Sequence, residues 1–273
     1  MDDISQTVNS RPALTAPTAA AQPVPAAKPA PESNVLRISS LHKRFGKKQV
    51  VNGVEFSMKT GEVLGLLGPN GAGKTTTFYM IVGFLSPTSG EVFLDDKLIT
   101  RLPMYKRARL GISYLPQEPS VFRKLTVEEN IWAVIETRRD LNKAEKRDFF
   151  ESLIDDFAIN RIRKQPAFTL SGGERRRTEI ARSLAIQPKF LLLDEPFAGI
   201  DPIAVSDIKH MIQLLARRNI GILVTDHNVR DTLEITNRSI IISDGTIVAQ
   251  GDKDAILDSE VARKIYLGEQ FRM

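Results

Sequence analysis

The stretch GPNGAGKT, Gly68 to Thr75, constrains this chain more than any other. It fills every fixed position of the pattern G-x-x-x-x-G-K-[ST], after the short apolar run EVLGLL (Glu62 to Leu67) and before a helix-forming segment. A strand that turns through glycines into a helix leaves several backbone N–H groups pointing into one concavity, and the helix N-terminus adds about half a positive charge there. Such a loop takes phosphate. Gly68, Pro69, Asn70, Gly71, Ala72 and Gly73 form the cradle, Lys74 reaches the β- and γ-phosphates, the Thr75 hydroxyl is a ligand for Mg²⁺, and Thr76 adds a phosphate contact.

The run FLLLDEP, Phe190 to Pro196, supplies the second half of such a site: a buried strand with two carboxylates at its end. Ligands of parallel sheets bind at the carboxyl ends of the strands. Asp194 is placed to hold Mg²⁺, and Glu195 to take a proton from an attacking water or polarise it.

Around these motifs the chain alternates strands and helices, which predicts an α/β fold with a parallel sheet. Strands are expected at Val35 to Ser39, Val50 to Met58, Glu62 to Leu67, Glu91 to Leu98, Gly111 to Leu115, Phe190 to Asp194 and Gly221 to Thr225, with a hairpin around Asp244-Gly245. Helices are expected after Gly73 and over Ile203 to Arg218. Thr126 to Phe157 is charged, glycine-free and helical in period, and reads as a helical insert. Within residues 1–34, Arg11 to Ser33 is mostly alanine and proline after an acidic start, and the segment predicts a disordered tail rather than a secretory signal. The folded domain is expected over residues 35–273.

The absence of cysteine excludes disulfides and thiolate metal sites, and a net charge of +5 selects no class of partner. No apolar run approaches the ~20 residues a membrane-spanning helix needs. Arg175, Arg176 and Arg177 carry no interleaved aromatic residue and read as a solvated helix face, so nucleic acid is not an expected partner.

A phosphate loop alone leaves kinases, GTPases, helicases and transporter ATPases open. The segment LSGGE, Leu170 to Glu174, resembles the signature of the ATP-binding-cassette (ABC) ATPases, and other positions agree in order. Gln117 matches the Q-loop, Gly199 to Asp201 the D-loop, and His227 the switch histidine, while Phe45 stands where the family puts an aromatic against adenine. The resemblance covers about Val35 to Met273. It implies a RecA-like core sheet with an antiparallel β subdomain and a helical subdomain at about residues 118–186. It also implies ATP with Mg²⁺, and a homodimer in which Ser171, Gly172, Gly173 and Glu174 of one copy meet the ATP of the other. In that frame Glu195, His227 and Gln117 are catalytic, and Gln117 joins Thr75 and Asp194 around the metal. Phe45 remains open between adenine stacking and core packing.

Residues Glu118 to Asn130 offer Phe122 and Leu125 beside Arg123 and Lys124, either as core or as a groove for a short helix of a membrane partner. The runs LPQEPSVFRKLTVEEN and LLDEPFAGIDPIAV and the ending YLGEQFRM are similar to the lipopolysaccharide-transport branch of the family. That likeness implies two transmembrane Lpt-type subunits docking near Phe122, Arg123 and Leu125, on the cytoplasmic face of a bacterial inner membrane. A branched-chain amino acid importer ATPase and a non-transport cassette protein are the alternatives.

Overall fold

A computed structural model describes residues 33–268. The expected tail, apart from Ser33 and Asn34, and the terminal residues 269–273 lie outside the described residues.

The described residues open with a hairpin, β1 (Val35–Phe45) and β2 (Lys48–Lys59), and then enter β3 (Val63–Leu67). The phosphate loop leads into α1 (Lys74–Val82), followed by β4 (Ser89–Leu94), β5 (Lys97–Leu98), α2 (Met104–Arg109) and β6 (Ile112–Leu115). A helical stretch carries α3 (Val127–Ile135), α4 (Lys143–Asp156) and α5 (Gly172–Leu184). Alternation resumes with β7 (Phe190–Asp194), α6 (Pro202–Arg217), β8 (Gly221–Thr225), α7 (Val229–Ile235), β9 (Arg238–Ser243) and β10 (Thr246–Gly251). The described chain ends in α8 (Lys253–Asp258), α9 (Glu260–Ala262) and a π-helical turn, Arg263–Leu267.

Two sheets result. One is antiparallel, in the order β2-β1-β4-β5, and the other has six strands in the order β10-β9-β3-β8-β7-β6. In the second, β9, β3, β8, β7 and β6 run parallel and only β10 is reversed. Every residue of β3, β7 and β8 is buried, as expected for strands covered on both faces. Leu64, Leu66, Leu192 and Leu223 face α1 and the antiparallel sheet, while Val63, Leu191, Leu193, Ile222 and Val224 face the helices α3 to α6. Each such side chain contributes about 1.5–3 kcal/mol of burial.

The expected strand Glu91 to Leu98 is two short strands, because Asp95 turns at φ +54°. The expected helical insert is broken between α3 and α4. There Asn142 caps α4, accepting from the backbone of Ala144 and Glu145, and Glu145 answers the Asn142 N–H. Arg107 on α2 is 1% exposed and closes the far end of α1. Its guanidinium donates to the carbonyls of Met80 at 2.7 Å, Ile81 at 2.6 Å, Leu102 and Thr100. A cation at a helix C-terminus is favourable there, although burial pushes this guanidinium down to about 10.

Candidate active site

The phosphate loop is held from three sides. Gly68 turns at φ +144°, and a Cβ there would lie 2.1 Å from the Ile242 carbonyl. At Gly73 a Cβ would meet the Val50 carbonyl at 2.8 Å, so the antiparallel sheet seats directly on the loop. The Asp244-Gly245 hairpin is the third support: Gly245 N–H donates to Ala72 O (3.0 Å), and Asn52 N–H donates to Gly245 O (2.8 Å). Outward the loop is open, since a Cβ at Gly71 would touch nothing within 4 Å. The Lys74 ammonium is drawn across it, donating to Gly68 O (2.7 Å) and Pro69 O (3.0 Å). Burial lowers the Lys74 pKa, against the opposing pull of Glu195 and Asp194.

At the end of β7, Asp194 is 5% exposed. Burial raises its pKa, while a hydrogen bond from the Tyr114 hydroxyl (3.2 Å) acts the other way. Glu195 follows in the left-handed region at φ +45°, a strained conformation for a non-glycine residue, with its N–H bonded to Thr225 O at 2.7 Å. That turn brings three expected residues together. Gln117 Nε2 donates to Glu195 Oε2 at 2.8 Å, and His227 Nδ1 lies 3.4 Å from the same oxygen. His227 is 66% exposed, so the cluster opens outward.

Two residues to which the sequence assigned no part in the site hold this cluster. Asp226 is fully buried and accepts from Phe197 N–H (3.0 Å) and Asn228 N–H (2.8 Å), tying the loop after β8 to the loop after β7. Burial raises its pKa. Arg176 corrects the reading of three solvated arginines, being 5% exposed. It donates to the carbonyls of Pro116 (3.0 Å), Glu195 (3.0 Å) and Pro196 (3.2 Å), and pairs with Glu179 at 3.2 Å. The signal was present: Gly173, Arg176, Ile180 and Leu184 share one face of the helix, and Glu179 lies one turn beyond Arg176. Of its neighbours, Arg177 pairs with Asp207 on α6.

The signature segment opens α5 with a capping box. Glu174 Oε2 accepts from Ser171 N–H at 2.9 Å, and Ser171 Oγ accepts from Glu174 N–H at 3.4 Å. Ser171 is exposed, but the two glycines differ. A Cβ at Gly173 would lie 2.8 Å from Ala204 Cβ on α6, so packing within the chain already requires glycine there. A Cβ at Gly172 would meet only the Gly199 carbonyl, at 3.3 Å. Asp201, in the expected D-loop, caps α6 by accepting from Ala204 N–H at 2.9 Å.

Phe45 is 50% exposed at the tip of the first hairpin, which excludes core packing. Phe122 is 51% exposed beside buried Val121, with the Arg182 guanidinium 5.1 Å above its ring, and Leu125 is half-buried. Arg182 also donates to Ser120 O and Oγ, and Glu179 accepts from Ser120 N–H. Among the described residues, His42 bonds Ser40 O and His210 is exposed, both away from this cluster.

The donor set of Thr75, Gln117 and Asp194 fits Mg²⁺, since all three offer oxygen to a hard cation. Among the described residues no group of three His, Cys, Asp or Glu side chains stands ready to hold a metal. A cation here therefore needs phosphate oxygens and water to complete its shell. The Thr225 hydroxyl, opposite Asp194 in the sheet register, is buried without a hydrogen-bond partner. It is a spare polar group at the same strand ends.

A glycine loop at the carboxyl edge of a parallel sheet, with an acidic pair beside it and Gln117 and His227 closing on the second carboxylate, defines a phosphate-loop ATPase of the cassette kind. The ABC transporter pattern matches residues 51–198, and the chain belongs to that family as an ATP-binding ATPase. More particularly, it is 50% identical over 240 residues to the lipopolysaccharide export system ATP-binding protein LptB of Haemophilus influenzae, covering 88% of this chain and 100% of that protein. It is 49% identical over 238 residues to the Escherichia coli K12 protein of the same name, covering 87% of this chain and 99% of the other. A crystal structure of an ABC transporter ATP-binding cassette in its ADP conformation superposes with a TM-score of 0.77 at 27% identity, over 86% of this chain and 99% of that one. Among the described residues, no helix is long and apolar enough to cross a membrane.

Proposed function

We propose that this chain is the ATP-hydrolysing subunit of a lipopolysaccharide exporter. The observation that carries the reading is its near-50% identity to LptB proteins along essentially their whole length. ATP lies on residues 68–76 with adenine against Phe45, and Thr75, Gln117 and Asp194 hold Mg²⁺. When bound, the metal neutralises charge on the transferred phosphoryl group. Glu195 accepts the proton of the attacking water, and His227 and Gln117 orient that water and the Glu195 carboxylate.

Two copies close head to tail on two ATP molecules. Ser171, Gly172, Gly173 and Glu174 of each offer the start of α5 to the γ-phosphate held by the other. Two membrane subunits dock near Phe122, Arg123 and Leu125, at the cytoplasmic face of the inner membrane. The half-exposed Phe122 ring with its basic neighbours supports that docking surface. Nucleic acid has no part in the reading.

The test is recovery of tagged protein from gently solubilised membranes, with copurifying proteins and lipids identified by mass spectrometry. Two membrane subunits together with lipopolysaccharide are expected. An amino acid permease, or no membrane protein at all, overturns the export assignment and leaves the ATPase.

A further inference from the structure

Tyr114 occupies a place that the ATPase reading leaves unused. It lies on β6, three residues before Gln117, and pairs in register with Leu192 on β7, two residues before Asp194. Its hydroxyl reaches along the strand to Asp194 Oδ2 at 3.2 Å. Its ring is gripped by two others. Tyr79 on α1 meets it edge-on at 6.3 Å, Phe84 just beyond α1 meets it edge-on at 5.6 Å, and those two stand edge-on to each other at 5.7 Å. Edge-to-face contacts of this kind fix ring orientation beyond what burial alone does. Phe84 is 54% exposed, so the trio runs from the surface to a buried carboxylate.

We propose that Tyr114 is a positioning residue for the metal site. The aromatic trio fixes its ring, the ring fixes its hydroxyl, and the hydroxyl holds one oxygen of Asp194 so that the other is presented to Mg²⁺. A carboxylate left to rotate would spend part of its time turned away from the cation, and a group 1 Å out of place weakens a site strongly. In metal sites generally, a hydrogen-bonded partner orients a ligating carboxylate and is needed for full metal affinity. This inference rests on Asp194 being a ligand of Mg²⁺, and its test separates the two.

The experiment measures equilibrium binding of a fluorescent ATP analogue to the full-length protein, with Mg²⁺ and with EDTA, alongside the ATPase rate. Tyr114→Phe keeps the ring and removes only the hydroxyl. It is expected to bind the analogue like wild type in EDTA, and to bind it about three- to tenfold more weakly in Mg²⁺. Phe84→Ala, at an exposed position, loosens the ring from outside and is expected to weaken Mg²⁺-dependent binding in the same direction. Asp194→Asn is expected to abolish the Mg²⁺-dependent gain, and adding Tyr114→Phe to it is expected to change nothing more. If Tyr114→Phe binds like wild type in both media, weakens binding equally in both, or still acts in the Asp194→Asn background, the positioning role is overturned while Asp194 keeps its own. If Asp194→Asn retains the full Mg²⁺ gain, the metal assignment itself fails.

Discussion

Gln117 Nε2 donates a 2.8 Å hydrogen bond to Glu195 Oε2, joining the loop after β6 to the loop after β7 across the mouth of the phosphate site. The two side chains come from different loops, so movement of either loop changes the direction of the Glu195 carboxylate. The same Glu195 oxygen lies 3.4 Å from His227 Nδ1.

Glu195→Gln keeps the hydrogen-bonding shape and removes the base. ATP hydrolysis is expected to fall by about 10²–10⁴-fold, while ATP binding stays within about twofold of wild type. The variant is expected to accumulate as a dimer in ATP on gel filtration. Hydrolysis near the wild-type rate would remove Glu195 from the mechanism.

Ser171→Arg places a long cation at an exposed helix start whose capping box Glu174 completes. Nucleotide binding to the single chain is expected to persist, with hydrolysis reduced at least tenfold and no dimer on ATP. An unchanged ATPase rate would exclude the shared-site arrangement.

Arg176 and Glu179 form an ion pair buried at both ends, with side chains 6% and 2% exposed. Removing one charge leaves the other buried alone. Arg176→Met is expected to cost about 3–5 kcal/mol in urea unfolding, and Arg176→Met with Glu179→Leu to recover part of that loss. The recovery is incomplete because the carbonyls of Pro116, Glu195 and Pro196 lose their donor in both variants.

Gly173→Ala sets two effects against each other. Alanine gains about 1 kcal/mol of helix propensity. Its Cβ, however, falls 2.8 Å from Ala204 Cβ on a second helix, and overpacking of that kind costs about 1–3 kcal/mol. A net loss of stability is expected, and Ala204→Gly in the same chain is expected to restore it.

Burial raises the Asp194 pKa above its ordinary value of 3.8, so the folded chain holds this proton more tightly than the unfolded one. Stability then falls as pH rises from about 3.8 through the raised native value, and the full penalty is present at neutral pH. Asp194→Asn is expected to raise the melting temperature of the nucleotide-free protein at pH 7.5. That gain is expected to shrink as the pH is lowered toward 4.

Local order was legible because it depends on near neighbours. The strands Phe190–Asp194 and Gly221–Thr225 fall where their apolar runs fall, and α6 begins one residue before its expected start, behind the Asp201 cap. The missed elements, α2, α7, α8 and α9, are short and owe their position to packing rather than to a long periodic signal. Arg176 shows the same limit at one residue. Its charge reads as surface, and only the closeness of three loop carbonyls makes the interior hospitable.

By itself the sequence determined the alternation of strands and helices, the glycine loop ahead of α1, and the acidic pair at the end of β7, because spacing and residue type suffice for these. The tertiary structure alone decided that Gln117, Glu195 and His227 meet at one oxygen, that Gly173 is required by Ala204, and that Tyr114 touches Asp194. These contacts join positions far apart in the chain. Their existence depends on the strand order and register of the parallel sheet, which no local pattern encodes.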